Sequence, residues 1–371
     1  MRERMRKPKA IIVGGSIAGI SCAKALILAG WDVVVIEKTR GPPAGNPTGA
    51  GIALHPLSQK IVKSWLHQPD LLHNITLPLT IDQNRAVDQE KNICRILARD
   101  ENFNYLQAHW TDLHSLIYNT LPPEIFFGVT CTSLSAFLTT NQLSMSKLRI
   151  LKLMRYTGYC AWRGVFHFSE NENSETIQGI RKAYPTLGNG VHMDLASGTY
   201  TVLDELMHKR LNWICDMIKK MHQEAEKIWV PEFARVIKET KEPFLNLIYD
   251  CDPLTQIYWD NVVLFGDAAH PITPHCARST NMAIADAAVL GKCLERWGPE
   301  NLHSALEEHQ SARLPVTTKQ VLHSRRVGQI KLGLPTPDRE PFDPNTASPE
   351  DCEILKQRSL PFFDDVPSTL E

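Results

Sequence analysis

The hydrophobic pattern is clearest at the start of the chain. Residues 10–13 are a short continuous apolar run, which predicts a buried strand. Over residues 17–29, Ile17, Ile20, Ala23, Ile27 and Leu28 recur near helical spacing, which predicts a helix with one buried stripe. Gly30 ends it, because glycine takes the left-handed cap conformation without steric cost. Residues 31–36 form a second apolar strand that ends at Glu37. Further on, residues 55–65 read as a helix, and residues 84–105 as a polar stretch with short strand-like pieces. Residues 110–121 carry Leu113, Leu116, Ile117 and Leu121 on one helical face, and Pro122–Pro123 stops that helix. Residues 125–169 contain no Asp or Glu and hold no clean period until an aromatic, strand-like piece at 156–168. Residues 211–229 read as helical and 244–249 as a strand. Residues 262–265 read as a buried strand and 281–294 as a small-residue helix. The Pro- and Asp-rich tail from residue 335 wraps the surface or frays.

The strand–turn–helix–strand unit at the start has chemistry of its own. Gly14, Gly15 and Ser16 make the turn, with Ile17 and Ala18 opening the helix and Gly19 allowing helix and strand to pack closely. A dinucleotide's pyrophosphate fits such a helix start, where unpaired backbone N–H groups and the helix dipole attract negative charge. Glu37 can accept hydrogen bonds from ribose hydroxyls, and Lys38 beside it is either a neutralising charge or a solvated strand end. Ser16 stands where the fingerprint has its middle glycine; it is small, and its hydroxyl can donate to phosphate. Residues 40–52 are dense in Gly and Pro, a loop that either connects at the surface or covers the cofactor, with Gly51 at its end.

Composition narrows the class. The chain has 371 residues, 43% hydrophobic and 22% charged, enough for two domains sharing a large core. A net charge of −1 gives no argument for nucleic acid, and no apolar run reaches membrane-spanning length. The basic start (Arg2, Arg4, Arg6, Lys7, Lys9) is not followed by a signal-peptide core, and nine cysteines without a C-x-x-C pair read as free thiols in a reducing, cytoplasmic setting.

With a second motif at Gly266-Asp267-Ala268-Ala269-His270-Pro271, followed by Pro274 and Asn281, the chain resembles the single-component FAD-dependent aromatic hydroxylases. It looks most like the branch of dihydroxypyridine hydroxylase and its plant relatives. Tyr156-x-Gly158 with Trp162-Arg163-Gly164 resembles that family's substrate-domain strand, and Arg313, Pro315, Val321, Ser324 and Arg325 its C-terminal helix. The resemblance implies an α/β fold: a doubly wound, Rossmann-like FAD domain with an inserted β-sheet substrate domain. It implies FAD as cofactor, NAD(P)H as reductant, O2 and a small aromatic substrate, and hydroxylation through a flavin hydroperoxide. It places Gly14–Gly19 and Glu37 on the ADP half of FAD, Gly266, Asp267 and Ala268 on the ribityl chain, and Pro274 and Asn281 near the ring. Trp110 stands where many relatives use a flavin-contacting arginine, and Cys276 and Ser279 replace loop glycines. His270 and His275 read as loop packing residues, so no catalytic side chain and no metal ligand is named.

Two departures set expectations of damage. The family's Asp-Gly motif is missing, since no Asp-Gly dipeptide occurs in the chain. The strand after residue 211 also looks cut short, passing straight into helix. The expected division is therefore an FAD-binding part at 1–75, its continuation at 76–125, a truncated substrate domain at 126–258, a second FAD-binding part at 259–334 and a tail at 335–371. Two alternatives stay open: a catalytically impaired flavin-binding remnant or splice form, and an NAD-dependent dehydrogenase using the N-terminal unit alone.

Overall fold

The computed structural model describes residues 7–38, 50–128, 154–217 and 221–356. Most of the acid-free segment, the Gly/Pro loop up to residue 49 and the last fifteen residues of the tail lie outside the described residues, so the expectations placed there are not judged.

The opening unit folds as its pattern predicts. Strand β1 (Lys9–Val13), helix α1 (Ile17–Leu28) and strand β2 (Asp32–Glu37) follow in order, and β1 and β2 pair in parallel. Gly30 takes φ 86° after the helix. A third parallel strand, β8 (Phe126–Gly128), pairs with the other side of β2. The expected single buried stripe on α1 is corrected. Its residues are buried without a break from Gly19 to Leu26, because the helix touches β1, β2 and two further helices. Those are α3 (Trp110–Tyr118) and α7 (Ser279–Trp297), the latter longer at both ends than expected. Helix α2 (Pro56–Trp65) packs on α7, its first turn capped by the His55 ring, which accepts from the Leu57 amide.

A small antiparallel sheet, β3 (Gly51–Leu54), β7 (Tyr105–His109) and β4 (Thr76–Leu79), in the order β3-β7-β4, lies between this half and a large sheet. The large sheet runs β13-β9-β12-β11-β10-β5-β6. Its strands are β5 (Ile81–Val87), β6 (Ile93–Asp100), β9 (Arg155–His167), β10 (Gly190–Ala196), β11 (Thr199–Leu206), β12 (Arg210–Met217) and β13 (Phe244–Asp250). One face is covered by α4 (Glu175–Ala183), α5 (Met221–Ile228) and α6 (Pro231–Glu239), around a core of Ile177, Ile180, Leu211, Trp213 and Phe233. Fully burying such side chains contributes about 1.5–3 kcal/mol each. The other face, with Tyr159, Ala161, Met193 and Tyr200, looks toward the nucleotide-binding half.

Two expectations are corrected here. The helix expected over 211–229 is a strand in its first half. Residues 210–217 form β12, hydrogen-bonded to β11 on one side and β9 on the other, and only 221–228 are helical. The strand thought to be cut short is therefore a full central strand, and the large sheet is continuous across the described residues. The parallel sheet, in contrast, ends at β1 among the described residues, and Ile11 and Val13 there are 44% and 53% exposed. The polar stretch 84–105 holds strands, as expected, and the polar residues at its start lie inside: Asp82, Gln83, Asn84 and Arg85 on β5 are all buried. Arg85 makes a two-pronged pair to Asp194 at 2.7 and 2.9 Å, and Tyr184 donates to the same carboxylate at 2.7 Å. A buried charge is tolerated when it is paired this way.

The expected strand at 262–265 is only β15 (Val262–Val263), paired with β14 (Tyr258–Trp259). A long helix, α8 (Leu302–Lys331), follows α7 and packs along it. The tail wraps as expected up to residue 356. Arg95 holds the carbonyls of Pro344 and Ala347, and Phe342, Cys352 and Leu355 are buried.

Candidate FAD and substrate site

The glycine turn is held by close contacts that explain its composition. Gly14 sits at φ 103°, in the left-handed region. A Cβ on Gly19 would fall 1.8 Å from the Gly14 carbonyl oxygen, so only glycine lets α1 approach β1 this way. The Gly15 N–H donates to Glu37 Oε2 at 2.7 Å, so the acid at the end of β2 reaches back over the turn. His114 closes it from below: its Nε2–H donates to the Gly15 carbonyl at 2.7 Å. Burial lowers the His114 pKa, while the Gly15 carbonyl and Glu37 pull it back up. Its ring stacks on Trp110 at 4.9 Å and on Tyr118 at 5.9 Å, a ladder at helical spacing along α3. Sequence reasoning singled out Trp110 and missed His114, although residues 110, 114 and 118 are the signal.

The first turn of α1 has no side-chain cap and no acid, and Ser16 at its start is exposed. The same holds for α7: its N-cap, Arg278, makes no side-chain cap bond, and no acid lies in the first turn. Uncapped N–H groups carrying the positive end of a helix dipole suit a bound anion.

The second motif is brought to the first by packing. A Cβ on Gly266 would lie 2.9 Å from the Cβ of Ala18, so the two motifs touch at that glycine, which takes φ 59°. Asp267 and Ala268 are exposed beside it, and Asp267 Oδ1 accepts from the Ser279 hydroxyl at 2.6 Å, at the first residue of α7. Behind the motif, buried Asp286 accepts from the Gly266 N–H at 3.0 Å, from His270 Nε2 at 2.5 Å and from Arg313 Nε at 2.6 Å. Burial works against its charge, but His270 and Arg313 hold its carboxyl well below the usual range. His270 is thus buried against Asp286, the group that sequence reasoning missed.

Other candidates divide. Pro274 begins a single 3-10 turn. The left-handed position of its loop is Ala277, at φ 51°, rather than Cys276 or Ser279. Asn281 is fully buried, and its amide is used on backbone: it donates to the Ala53 and Ala277 carbonyls and accepts from the His55 N–H. It staples α7 to the end of β3, and its contacts are with protein backbone. Lys38 is exposed, at the edge of the group. Gly51 lies across the small sheet, pressed against Gln107 and Asn212. His275 joins the loop to the substrate sheet: its Nε2 and Nδ1 lie 2.6 and 2.7 Å from the hydroxyls of Tyr159 and Tyr200. A Cβ on Gly328 of α8 would strike that ring at 2.3 Å. Burial lowers the His275 pKa well below its ordinary value, with Lys331 and Arg163 adding to the shift. The eight described cysteines are free, and burial pushes Cys22 up to about 12 and Cys276 to about 11, so neither offers a thiolate.

No protein-family model matches the chain. A 3-hydroxybenzoate 6-hydroxylase of Klebsiella oxytoca is 33% identical over 363 residues, covering 87% of this chain and 88% of that protein. The chain belongs to the FAD-dependent aromatic hydroxylases. Another member, the 6-hydroxynicotinate 3-monooxygenase of Pseudomonas fluorescens, is 26% identical over 355 residues, covering 85% and 89% of the two chains. The crystal structure of Klebsiella pneumoniae HpxO, complexed with FAD and uric acid, has the same fold, with a TM-score of 0.69 at 18% identity over 88% of this chain and 89% of that one. The family's FAD fits what these residues offer: a glycine turn that only glycine packs this closely, two uncapped helix starts, and an exposed aspartate where the two motifs meet. No helix among the described residues is long and apolar enough to cross a membrane.

Proposed function

We propose that the chain is an NAD(P)H-dependent FAD monooxygenase that hydroxylates a small aromatic or heteroaromatic compound. In balance, one O2, one NAD(P)H, one proton and the aromatic substrate give the hydroxylated product, water and NAD(P)+. The observation that carries this is the contact of Gly266 with Ala18, which sets exposed Asp267 and the starts of α1 and α7 side by side. When bound, FAD supplies the electron transfer and the activation of oxygen. The protein's part is positioning. The amides that open α1, with Ser16 to Gly19, would receive the pyrophosphate, and Glu37 the adenosine ribose. Asp267 would accept from the ribityl hydroxyls, and the positive end of α7 would favour negative charge on the reduced ring. The large sheet, whose Tyr159 and Tyr200 hydroxyls meet His275 of the flavin-motif loop, would carry the substrate beside the flavin.

The impaired remnant is not better supported: the large sheet keeps the strand that looked cut short, although the Asp-Gly motif is absent from the sequence. The substrate sheet is accordingly proposed to run from β9 to β13 and to take in β5 and β6, while β8 at 126–128 belongs to the parallel sheet. The test is optical. Protein supplied with FAD should show a flavin band near about 450 nm. It should bleach with NADPH or NADH without oxygen and recover when air is admitted; 6-hydroxynicotinate and 3-hydroxybenzoate are the first substrates to try. Folded protein that takes up no FAD would overturn the assignment.

A further inference from the structure

Where the small sheet crosses the large one, four residues from four strands form one hydrogen-bonded chain. The Gly51 N–H of β3 donates to Asn212 Oδ1 of β12 at 2.8 Å. Asn212 Nδ2 donates to Asp204 Oδ1 of β11 at 2.8 Å. Gln107 Nε2 of β7 donates to Asp204 Oδ2 at 2.5 Å. All three side chains are almost fully buried, with Asp204 at 2% exposed. The fit is close enough that a Cβ on Gly51 would lie 2.4 Å from Gln107 Nε2 and 2.7 Å from the Asn212 amide.

Each amide is oriented by its partners. Asn212 must present oxygen to the Gly51 N–H, so it has only its NH2 for Asp204. Both carboxylate oxygens therefore meet N–H donors, an arrangement that suits the ionised form. Burial opposes that charge, and no cation among the described residues pairs with it: burial pushes the carboxyl up to about 7, against the pull of Asn212 and Gln107. The other charged or titratable groups on this seam are occupied. His109 of β7 accepts from the Thr111 amide, and Arg210 of β12 pairs with Asp112 of α3.

The location is what matters. Asp204 is four residues from Tyr200 on the same strand, hence on the same face, and that face meets His275 of the flavin-motif loop. Gly51 begins the strand whose Ala53 carbonyl is held by Asn281 of α7. The chain from Asp204 to Gly51 thus ties the substrate sheet to the strand that abuts the second flavin motif. We propose that Asp204 is a positioning residue for the hydroxylation: through Asn212 its carboxylate fixes the Gly51 amide, and so sets the substrate sheet against the flavin-binding half. This rests on the functional assignment above for its consequence, but not for its geometry.

The test therefore has one arm that needs no cofactor. Amide hydrogen exchange of the peptide covering residues 50–54 is measured at pH 6 and pH 8, corrected for the intrinsic rate. In the wild-type protein, protection of Gly51 should fall several-fold at the lower pH, where the carboxyl takes up a proton. In Asp204→Asn it should be low at both. The second arm uses FAD-loaded protein. Asp204→Asn should bind FAD within about twofold of wild type, while the pH profile of flavin reduction by NADPH loses an ionisation near neutrality that wild type has. Exchange at Gly51 that is insensitive to pH in the wild-type protein overturns the proposal without any variant. So do unchanged exchange and an unchanged reduction profile in Asp204→Asn. Failure of the wild-type protein to take up FAD would instead count against the functional assignment and leave the exchange result standing.

Discussion

Glu37 shows how one side chain is read twice. In the sequence it is an acid at a strand end, placed to accept from a ribose. In the structure its carboxylate already accepts the Gly15 N–H. Both roles need the charge, and a hydrogen bond to a charged group contributes about 1.5–3 kcal/mol. Glu37→Ala is expected to weaken FAD binding by roughly that amount, about tenfold to more than a hundredfold. Titrating FAD into the variant, followed by the quenching of flavin fluorescence, measures it. An unchanged dissociation constant would show that Glu37 serves only the turn. Legibility at this scale followed backbone geometry. Gly14 and Gly19 were legible because only glycine suits those positions. Asp204 and Asp286 were not, since a lone Asp has no local pattern to announce partners such as Gln107 and Arg313, 97 and 27 residues away, and His114 showed only its aromatic repeat and not its partner Gly15.

The elements reveal why one stretch was misread. β12 alternates Arg210, Asn212, Ile214 and Asp216 with Leu211, Trp213, Cys215 and Met217, a period of two that the helical reading of 211–229 passed over. β5 is a strand of polar residues inside the protein: Asp82 to Arg85 are buried, and Arg85 meets Asp194 there. The contact between α8 and the flavin-motif loop makes a prediction at this scale. Gly328 leaves room for the His275 ring, which Tyr159 and Tyr200 hold in place, so the ring cannot easily give way. Gly328→Ala should destabilise the protein by about 1–3 kcal/mol, the usual range for overpacking. Adding His275→Ala should remove most of the penalty that is due to Gly328→Ala. Urea midpoints for the two single variants and the double variant test this, and equal penalties in both backgrounds would refute it.

For the molecule as a whole, pH dependence follows from the same packing. The folded-state pKa of Asp204 is raised to about 7, above its ordinary carboxylate value. The folded state therefore holds a proton that the unfolded chain has released between about pH 4 and 7. Over that window Asp204 lowers stability as pH rises, by at most about 1.4 kcal/mol per pH unit, and above it the effect is flat. Asp286, held low, acts only at the acid end. The stability difference between wild type and Asp204→Asn should accordingly shift toward the variant from pH 5 to pH 7 and then stop changing. Denaturant midpoints for both proteins at pH 5, 6, 7 and 8 check the sign. A difference that is constant across the series would place the Asp204 pKa near its ordinary value.

The sequence by itself determined the βαβ unit, the glycine turn, the second motif and the family, because each depends on contacts between near neighbours or on residue types that admit few conformations. Tertiary structure decided the rest. Only packing sets Gly266 on Ala18 and turns two separate motifs into one site. Only pairing makes residues 210–217 a central strand. Only the crossing of two sheets gathers Gly51, Gln107, Asp204 and Asn212. The last two share a physical reason. A buried polar group is stable only with its partner, and here the partner lies on another element of the chain.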